Sequence, residues 1–456
     1  MLVCGQTKPS FINKIGTSFG VLRCSKSTCL RIPWKSDNPP MNRRRFLLSA
    51  GLTGLGVTGM ATWWFWPEQG LLNPCLSTLP RKLADHELVR SAWLGLDPSQ
   101  VWDCHAHLVG TGDSGSGIWL NPALDSMIHP MQYAQRLFFL NAGCAHDAPG
   151  RVDQSYVERM QNLLEGMRPG AKLMLFAFDY FHREDGSISR DDSAFHVPND
   201  YARNVARQHP RYFEWVASIH PYRRDCVEAL TRAAAEGARA VKWLPAAQGM
   251  NPSSPLCDRF FEALAKLDLP LISHAGEERA VHGGNTQHFG NPLLLRRALD
   301  HGVRVVVAHC GSMGQDRDLD RGANGPHVDS FDLFARLMDD AAYGPKLHGD
   351  ISAVTQLNRA GPALITLLER EDWHGRLLNG SDYPLPGVMP LFSVNYMVQL
   401  GLLSASAAPV LTEIRRHNPL LFDFVLKRHI ASGGSSFAPS VFATRSFFDR
   451  RIAKPY

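Results

Sequence analysis

Eight short apolar runs, separated by longer stretches with helical periodicity, constrain this chain more than any other feature of its sequence. They are VWDCHAH (101–107), KLMLFAF (172–178), YFEWVASI (212–219), ARAVKWL (238–244), LPLISHA (269–275), VRVVVAH (303–309), PKLHGDIS (345–352) and GRLLNGSD (375–382). Between them lie CVEALTRAAAEG (226–237), DRFFEALAKLD (258–268) and NPLLLRRALDHG (291–302), with apolar residues three to four apart and glycine closing two of them. Strand, helix, strand at this spacing returns each strand parallel to the last. Eight such units are the count of a closed α/β barrel, a (β/α)8 TIM barrel, whereas an open doubly wound sheet has fewer strands and need not return to the first.

A chain of 456 residues that is 44% hydrophobic and 20% charged can bury one large core. The segment 108–170 is too long for a simple connection and reads as a helical insertion after strand 1, a lid or wall for a site. After a Gly/Ser break, residues 431–456 read as a C-terminal extension, wrapped on the barrel or disordered. The expected division is a targeting lead over 1–66, a linker and entry segment over 67–99, the barrel over 100–430 and the extension over 431–456.

The formal charge of +5 is local, because residues 1–45 carry nine Lys/Arg and one acid, leaving 39 bases against 42 acids in the rest. Nothing beyond the lead suggests a nucleic-acid-binding surface. MNRRRFLLSAGLTGLGVTGMATWWFW (41–66) resembles a twin-arginine export signal, with Arg43 and Arg44, one residue, then Phe46 and Leu47 before an uncharged segment. Gly59 and Ala61 offer a small-residue cleavage pattern, while Trp63, Trp64 and Trp66 suit a retained anchor at a membrane interface, the reading preferred here. Met41 is then the expected true start. The chain is expected to use the twin-arginine export machinery and to be periplasmic or anchored to the outer face of the cytoplasmic membrane. Nine cysteines without a CxxC, three of them in the lead, argue against a zinc ribbon or a small disulfide framework.

Barrel chemistry sits at the C-terminal ends of the strands. His105 and His107 end the first run, Lys242 lies late in the fourth, His274 ends the fifth, His309 ends the sixth and Asp382 follows the eighth. An HxH pair alone is cheap, since 19 histidines give roughly one by chance; six polar residues at matching strand ends are not. Strict strand alternation puts Asp103, His105 and His107 on one face and Cys104 with Ala106 on the other. Cys104 and Cys310 are accordingly expected to pack away from the site.

DCHAH (103–107), AVKWLP (240–245), PLISHAG (270–276), VVVAHCG (305–311), NGSDYPLP (379–386) and RRHNPLLFDF (415–424), in this order, resemble the amidohydrolase superfamily, in particular the amidohydrolase-related group that includes the aminocarboxymuconate semialdehyde decarboxylases. The likeness covers roughly residues 100–428 and departs from the family in the insertion after strand 1 and in the loop EERAVHGGNTQHFGN. It implies a divalent metal, zinc, on His105, His107, His274 and Asp382. Asp382 would act as base and His309 would orient or polarise the substrate, or protonate the leaving group. Neutral imidazoles and a carboxylate suit zinc independently of the resemblance.

Lys242 has two readings. Carboxylated, it would bridge two metals with His309 as a further ligand; otherwise it pairs with Asp350 or a substrate carboxylate beside a single ion, the reading preferred here. Asp103 either orients a ligand imidazole or pairs with a buried base. Arg183, Arg223, Arg224 and Arg279 are candidates for holding an anionic substrate, against plain surface pairing, and His282 and His288 for lining the entrance, against solvated loop positions. The expected function is hydrolysis of an amide, ester or lactone bond of a small molecule by metal-activated water. The alternatives are a metal-dependent decarboxylase of a small carboxylic acid and a non-catalytic barrel that only binds. Oligomeric state is not legible.

Overall fold

Eight strands form where the apolar runs predict them, each shorter than its run: β1 (Trp102–His107), β2 (Lys172–Phe176), β3 (Phe213–Val216), β4 (Val241–Trp243), β5 (Leu271–His274), β6 (Val305–Ala308), β7 (Leu347–Asp350) and β8 (Leu377–Leu378). The structure, a computed structural model, describes residues 68–145 and 149–449. The signal-like segment read over 1–66 and the end of the C-terminal extension lie outside the described residues. No helix among the described residues is long and apolar enough to cross a membrane.

All ladders between these strands are parallel and run β1-β2-β3 in one sheet and β4-β5-β6-β7-β8 in the other. Single parallel bridges join the sheets at both seams, Ala217 to Val241 between β3 and β4 and Tyr383 to Ala106 between β8 and β1. The second seam is hydrogen-bonded in full view of the predicted site: Cys104 N donates to Asn379 O (3.0 Å), Asp382 N to His105 O (2.8 Å) and His107 N to Tyr383 O (2.8 Å). Gly380 permits this approach, because a Cβ there would stand 2.6 Å from His105 Cβ. The fold is thus an α/β barrel of the (β/α)8 kind, and its closure sets Asp382 beside the end of β1.

Side chains divide into two cores. Leu173, Leu175, Val305 and Val307 face outward to the helical layer, while Met174, Phe176, Ile272, Val306 and Ala308 fill the lumen. Phe448, from the C-terminal extension, joins that lumen cluster. Burying an aromatic or large aliphatic side chain in this way contributes roughly 1.5–3 kcal/mol each.

β1 departs from strict alternation. Its pairing with β2 shifts register between Asp103 and Ala106, so Cys104 and His105 together oppose one residue of β2. Cys104 therefore packs in the lumen cluster, contrary to expectation, and Asp103 lies on the outer side. His105 and His107 share the inward face as alternation requires, and the bulge adds Cys104 to that face while turning Asp103 away from it. Cys310 behaves as expected, buried in the outer core.

The insertion after β1 contributes the helices Pro130–Ala142 and Val152–Glu165. The first is tied to the entry segment by a Cys75–Cys144 disulfide, Cα atoms 5.6 Å apart, that spans 69 residues of chain. Beside it Asn73 N donates to Asn141 Oδ1 (2.8 Å). Spacing alone did not show this pair. A loop of that length implies that reduction, or Cys75→Ala with Cys144→Ala, lowers stability by about 2–4 kcal/mol. Urea unfolding with and without reductant checks this; coincident curves would show that the bond contributes nothing.

Beyond the end of β3, His220 is fully buried, accepting from Tyr222 N at Nδ1 (3.1 Å) and bonded to Gln248 O through Nε2 (3.0 Å). Burial, reinforced by the neighbouring His182, pushes its imidazole down to about 3. Its contribution to stability is complete above the unfolded value of about 6.5 and is lost as pH falls from there toward the folded value. Between pH 7 and pH 5 the cost is about 2 kcal/mol, and His220→Gln should flatten that part of the pH–stability curve. Parallel pH profiles for the two proteins would sink the assignment.

Candidate metal centre and cavity

Strand ends deliver the predicted side chains to one place. His105, His309 and Asp382 form a buried group in which one candidate ligand atom from each lies within 4.8 Å of the others. His107 Nε2 stands 3.1 Å from Asp382 Oδ1, and His105 Nε2 stands 3.4 Å from the same oxygen. His274 is buried, its ring 5.2 Å from that of His309, with Nδ1 3.4 Å from Glu278 Oε2. Neither His274 nitrogen makes a hydrogen bond.

Hydrogen bonds fix which nitrogens face the centre. Asp350 Oδ2 lies 2.9 Å from His105 Nδ1, and a carboxylate only accepts, so Nδ1 carries the proton and Nε2 keeps its lone pair. His309 Nδ1 lies 3.1 Å from the Ser352 carbonyl, which imposes the same tautomer. Both rings thus turn an unprotonated Nε2 toward Asp382.

Asp350 is the hub of this arrangement. Oδ1 accepts from His309 N (3.1 Å), from Ser352 N (3.0 Å) and from the Ser352 hydroxyl. Sequence reasoning named Asp350 only as a partner for Lys242. The structure instead gives its carboxylate to His105, and no ion pair joins it to Lys242 among the described residues. Lys242 Nζ sits 3.2 Å from His105 Nε2, below the mouth, and does not line the cavity.

Asp103 takes neither predicted role. Its Oδ1 accepts the backbone amides of Ser381 (2.8 Å) and His105 (3.1 Å), which fastens the β8–β1 seam. The bulge in β1 is what separates Asp103 from the face that His105 and His107 share.

Electrostatics sort the group into neutral and charged members. Burial, with Lys242 adding to it, pushes His105 down to about 4, and burial holds His274 and His309 well below the usual imidazole range. Burial pushes the Lys242 amine down to about 8 despite Asp350 and Asp382. Asp382 goes the other way: burial raises its carboxyl, but His309, His105 and His107 overcome that and hold it well below the ordinary carboxylate range. His105, His274 and His309 are therefore neutral imidazoles beside an ionised Asp382 at neutral pH, the protonation states that a divalent cation requires.

Two of its residues adopt left-handed backbone, His309 at φ 56° and Asp382 at φ 61°. Such positions cost of order 1–3 kcal/mol each and persist only where neighbours hold them. Here the amide of each is bonded across strands, to Asp350 Oδ1 and His105 O. No sequence signal marks this strain.

The group opens into a cavity of about 550 Å³. His105, His107, His274, His309 and Asp382 line its floor, and the insertion helix Pro130–Ala142 supplies Phe138 and Phe139 to its wall. His282 lines it as well; His288 does not. Of the arginines singled out in the sequence, only Arg279 reaches it, exposed and paired with Glu277 (2.8 Å). Arg223 is committed to Asp179 (2.9 Å) and Asp225 (2.8 Å) at a separate groove that Arg224 also lines, and Arg183 bonds Ser189 Oγ (3.0 Å). Two cavity residues escaped sequence reasoning. Glu278 is a buried acid whose carboxyl burial pushes up, and Arg359 is a buried guanidinium on the loop after β7.

A family model described as Amidohydrolase matches residues 102–419, well over half of the chain. The chain belongs to the amidohydrolase family, a family of enzymes with metal-binding sites. No curated protein matches it. Among solved structures it is similar to 5-carboxyvanillate decarboxylase from Novosphingobium aromaticivorans, complexed with manganese and a nitrobenzoic acid, at 14% identity and TM-score 0.41, covering 76% of this chain and 95% of that one. It is also similar to Metarhizium anisopliae IDCase, at 13% identity and TM-score 0.42 over 76% and 96% of the two chains. A third likeness is to a protein of Acinetobacter baumannii described as a probable 2-pyrone-4,6-dicarboxylic acid hydrolase, at 16% identity and TM-score 0.37 over 70% and 92%.

Proposed function

We propose that the chain is a metal-dependent hydrolase that cleaves an amide, ester or lactone bond of a small molecule, using one zinc ion held by His105, His107, His274 and Asp382 with His309 beside it. The observation that carries this reading is the convergence of the unprotonated Nε2 atoms of His105 and His309 on an ionised, buried Asp382, with His107 and His274 lining the same cavity. The donor set fits the ion: a buried His274 with both nitrogens unbonded is costly without a further partner.

When bound, the cation supplies Lewis acidity, polarising an acyl oxygen and lowering the pKa of water. Asp382, ionised throughout the neutral range, accepts the proton of the attacking water and delivers it to the leaving nitrogen or oxygen as the acyl bond breaks. His309, fixed through Nδ1 to Ser352 O, presents Nε2 to the substrate and orients it. Asp350 holds His105 in its tautomer and the insertion helix screens the centre from bulk water.

Metal analysis followed by a substrate panel tests the proposal. One equivalent of zinc per chain, with release of a carboxylate and an amine or alcohol, is expected. Two equivalents in fully active enzyme would overturn the single-ion reading and bring in Lys242. Carbon dioxide as product would make the chain a decarboxylase, and absence of both metal and turnover would leave a binding protein.

The export reading rests on residues 41–66 and gains support from the Cys75–Cys144 disulfide, since such bonds persist in oxidising compartments. N-terminal sequencing of the chain from membrane and soluble fractions tests both export and retention. A chain found only in the cytoplasm, with both cysteines as thiols, would refute it.

A further inference from the structure

Arg359 is 8% exposed and lines the cavity, yet among the described residues no carboxylate lies within ion-pair distance of it. Its loop is fixed by backbone bonds, Arg359 N to Gln356 O (2.9 Å) and Leu357 N to Leu391 O (2.9 Å). Of its guanidinium nitrogens, Nη1 donates weakly to Ser312 Oγ (3.3 Å), and Nε is buried with no hydrogen-bond partner among the described residues. A buried guanidinium is expensive unless an anion accepts from it, and its planar fork matches a carboxylate. Elsewhere the cavity surface carries apolar side chains, among them Val109, Ile118, Phe138 and Phe139, while Asp382 and Glu278 are the acids whose charge acts most on Arg359.

We propose that Arg359 is the substrate's anion site, and that the substrate is a monocarboxylate with an apolar body, its carboxylate on Arg359 and its reacting bond over Asp382. The proposal rests on the hydrolase reading for the reacting bond, but the anion site is defined by Arg359 alone. A single guanidinium that already feels Asp382 and Glu278 matches at most one further negative charge, which favours a carboxylate over a phosphate dianion. Arg359 also replaces the surface arginines as the residue that selects charge.

Isothermal titration on the full chain, metal-free and zinc-loaded, tests this with probes that do not react. These are benzoate, phenylacetate and hexanoate, each against its amide, with phenyl phosphate as the dianion. The carboxylates should bind wild type in both metal states at least ~30-fold more tightly than the amides. Arg359→Gln should abolish the preference and Arg359→Lys should keep part of it. Because burial outweighs the pull of Asp382 and Glu278 on this guanidinium in the free protein, Arg359→Gln without ligand should melt no lower than wild type, whereas an arginine held in a structural ion pair would show a lower melting temperature.

Equal binding of acid and amide by wild type would overturn the proposal, as would tighter binding of phenyl phosphate. Carboxylate binding that needs zinc and survives in Arg359→Gln would put the anion on the cation, and also overturns it. A wild-type chain that takes up no zinc but still prefers carboxylates would refute the metal-dependent reading and leave the anion site standing.

Discussion

Asp382→Asn should lower kcat/KM by about 10³-fold or more while leaving the protein folded. Asp382 is the one ionised carboxylate that touches His105, His107 and His309, at 3.4, 3.1 and 3.9 Å. An amide in its place can neither take a proton from water nor neutralise a divalent cation, and general-base and metal contributions of this size are typical. Asparagine is the informative substitution because the backbone here sits at φ 61°, a left-handed conformation that asparagine tolerates better than most residues. Activity loss can then be separated from misfolding. Zinc content should fall at saturating protein, and Asp382→Glu should recover metal more readily than activity, since the longer arm displaces the proton acceptor. Steady-state kinetics and metal analysis on the two variants read both effects. A residual activity within tenfold of wild type in Asp382→Asn would remove Asp382 from the mechanism.

The barrel was legible because parallel strands buried on both faces must be nearly continuous apolar runs, as Val305–Ala308 and Leu271–His274 are. The strand-end histidines were legible for a related reason: a polar residue closing such a run has to serve the mouth or remain an unpaired buried group. What periodicity could not encode was the register shift in β1. Two residues opposite one on the neighbouring strand look the same in sequence as an alternating pair, so Asp103 was given to the wrong face and Cys104 to the other wrong face. Asp350 was read as a partner for the wrong residue because its carboxylate points along the sheet edge to β1, 245 positions away in sequence. Arg359 was invisible for a different reason. Its loop, VTQLNRAG, looks like an ordinary connection, and only burial without an ion-pair partner among the described residues distinguishes it from a surface arginine. Cysteine spacing, likewise, could not choose Cys75–Cys144 among six scattered thiols.

Asp350→Asn should be the most damaging change that touches neither substrate nor metal. A carboxylate accepts on both oxygens, and Asp350 uses both: Oδ1 for two backbone amides and a hydroxyl, Oδ2 for His105 Nδ1–H. An asparagine offers one oxygen and one NH2. With its oxygen toward the amides, the NH2 faces His105 Nδ1 and forces the other tautomer, which protonates Nε2 and takes it out of the donor set. With its oxygen toward His105, three buried donors lose their acceptor. Either way the cost is about 1–3 kcal/mol of stability for each buried group left without its charged acceptor, and zinc affinity should fall by roughly 10–100-fold. The pH dependence has a definite sign. Burial raises the Asp350 carboxyl, but His105, His309 and Lys242 outweigh it and hold it well below the ordinary carboxylate range. Its stabilisation is therefore complete above about pH 4 and lost as pH falls below that value. Urea unfolding should separate variant from wild type most widely near neutral pH and bring the curves together in acid. Chelator competition reads the affinity. A variant within about 1 kcal/mol of wild type at pH 7, with zinc affinity unchanged, would mean that the tautomer of His105 is set by something other than Asp350.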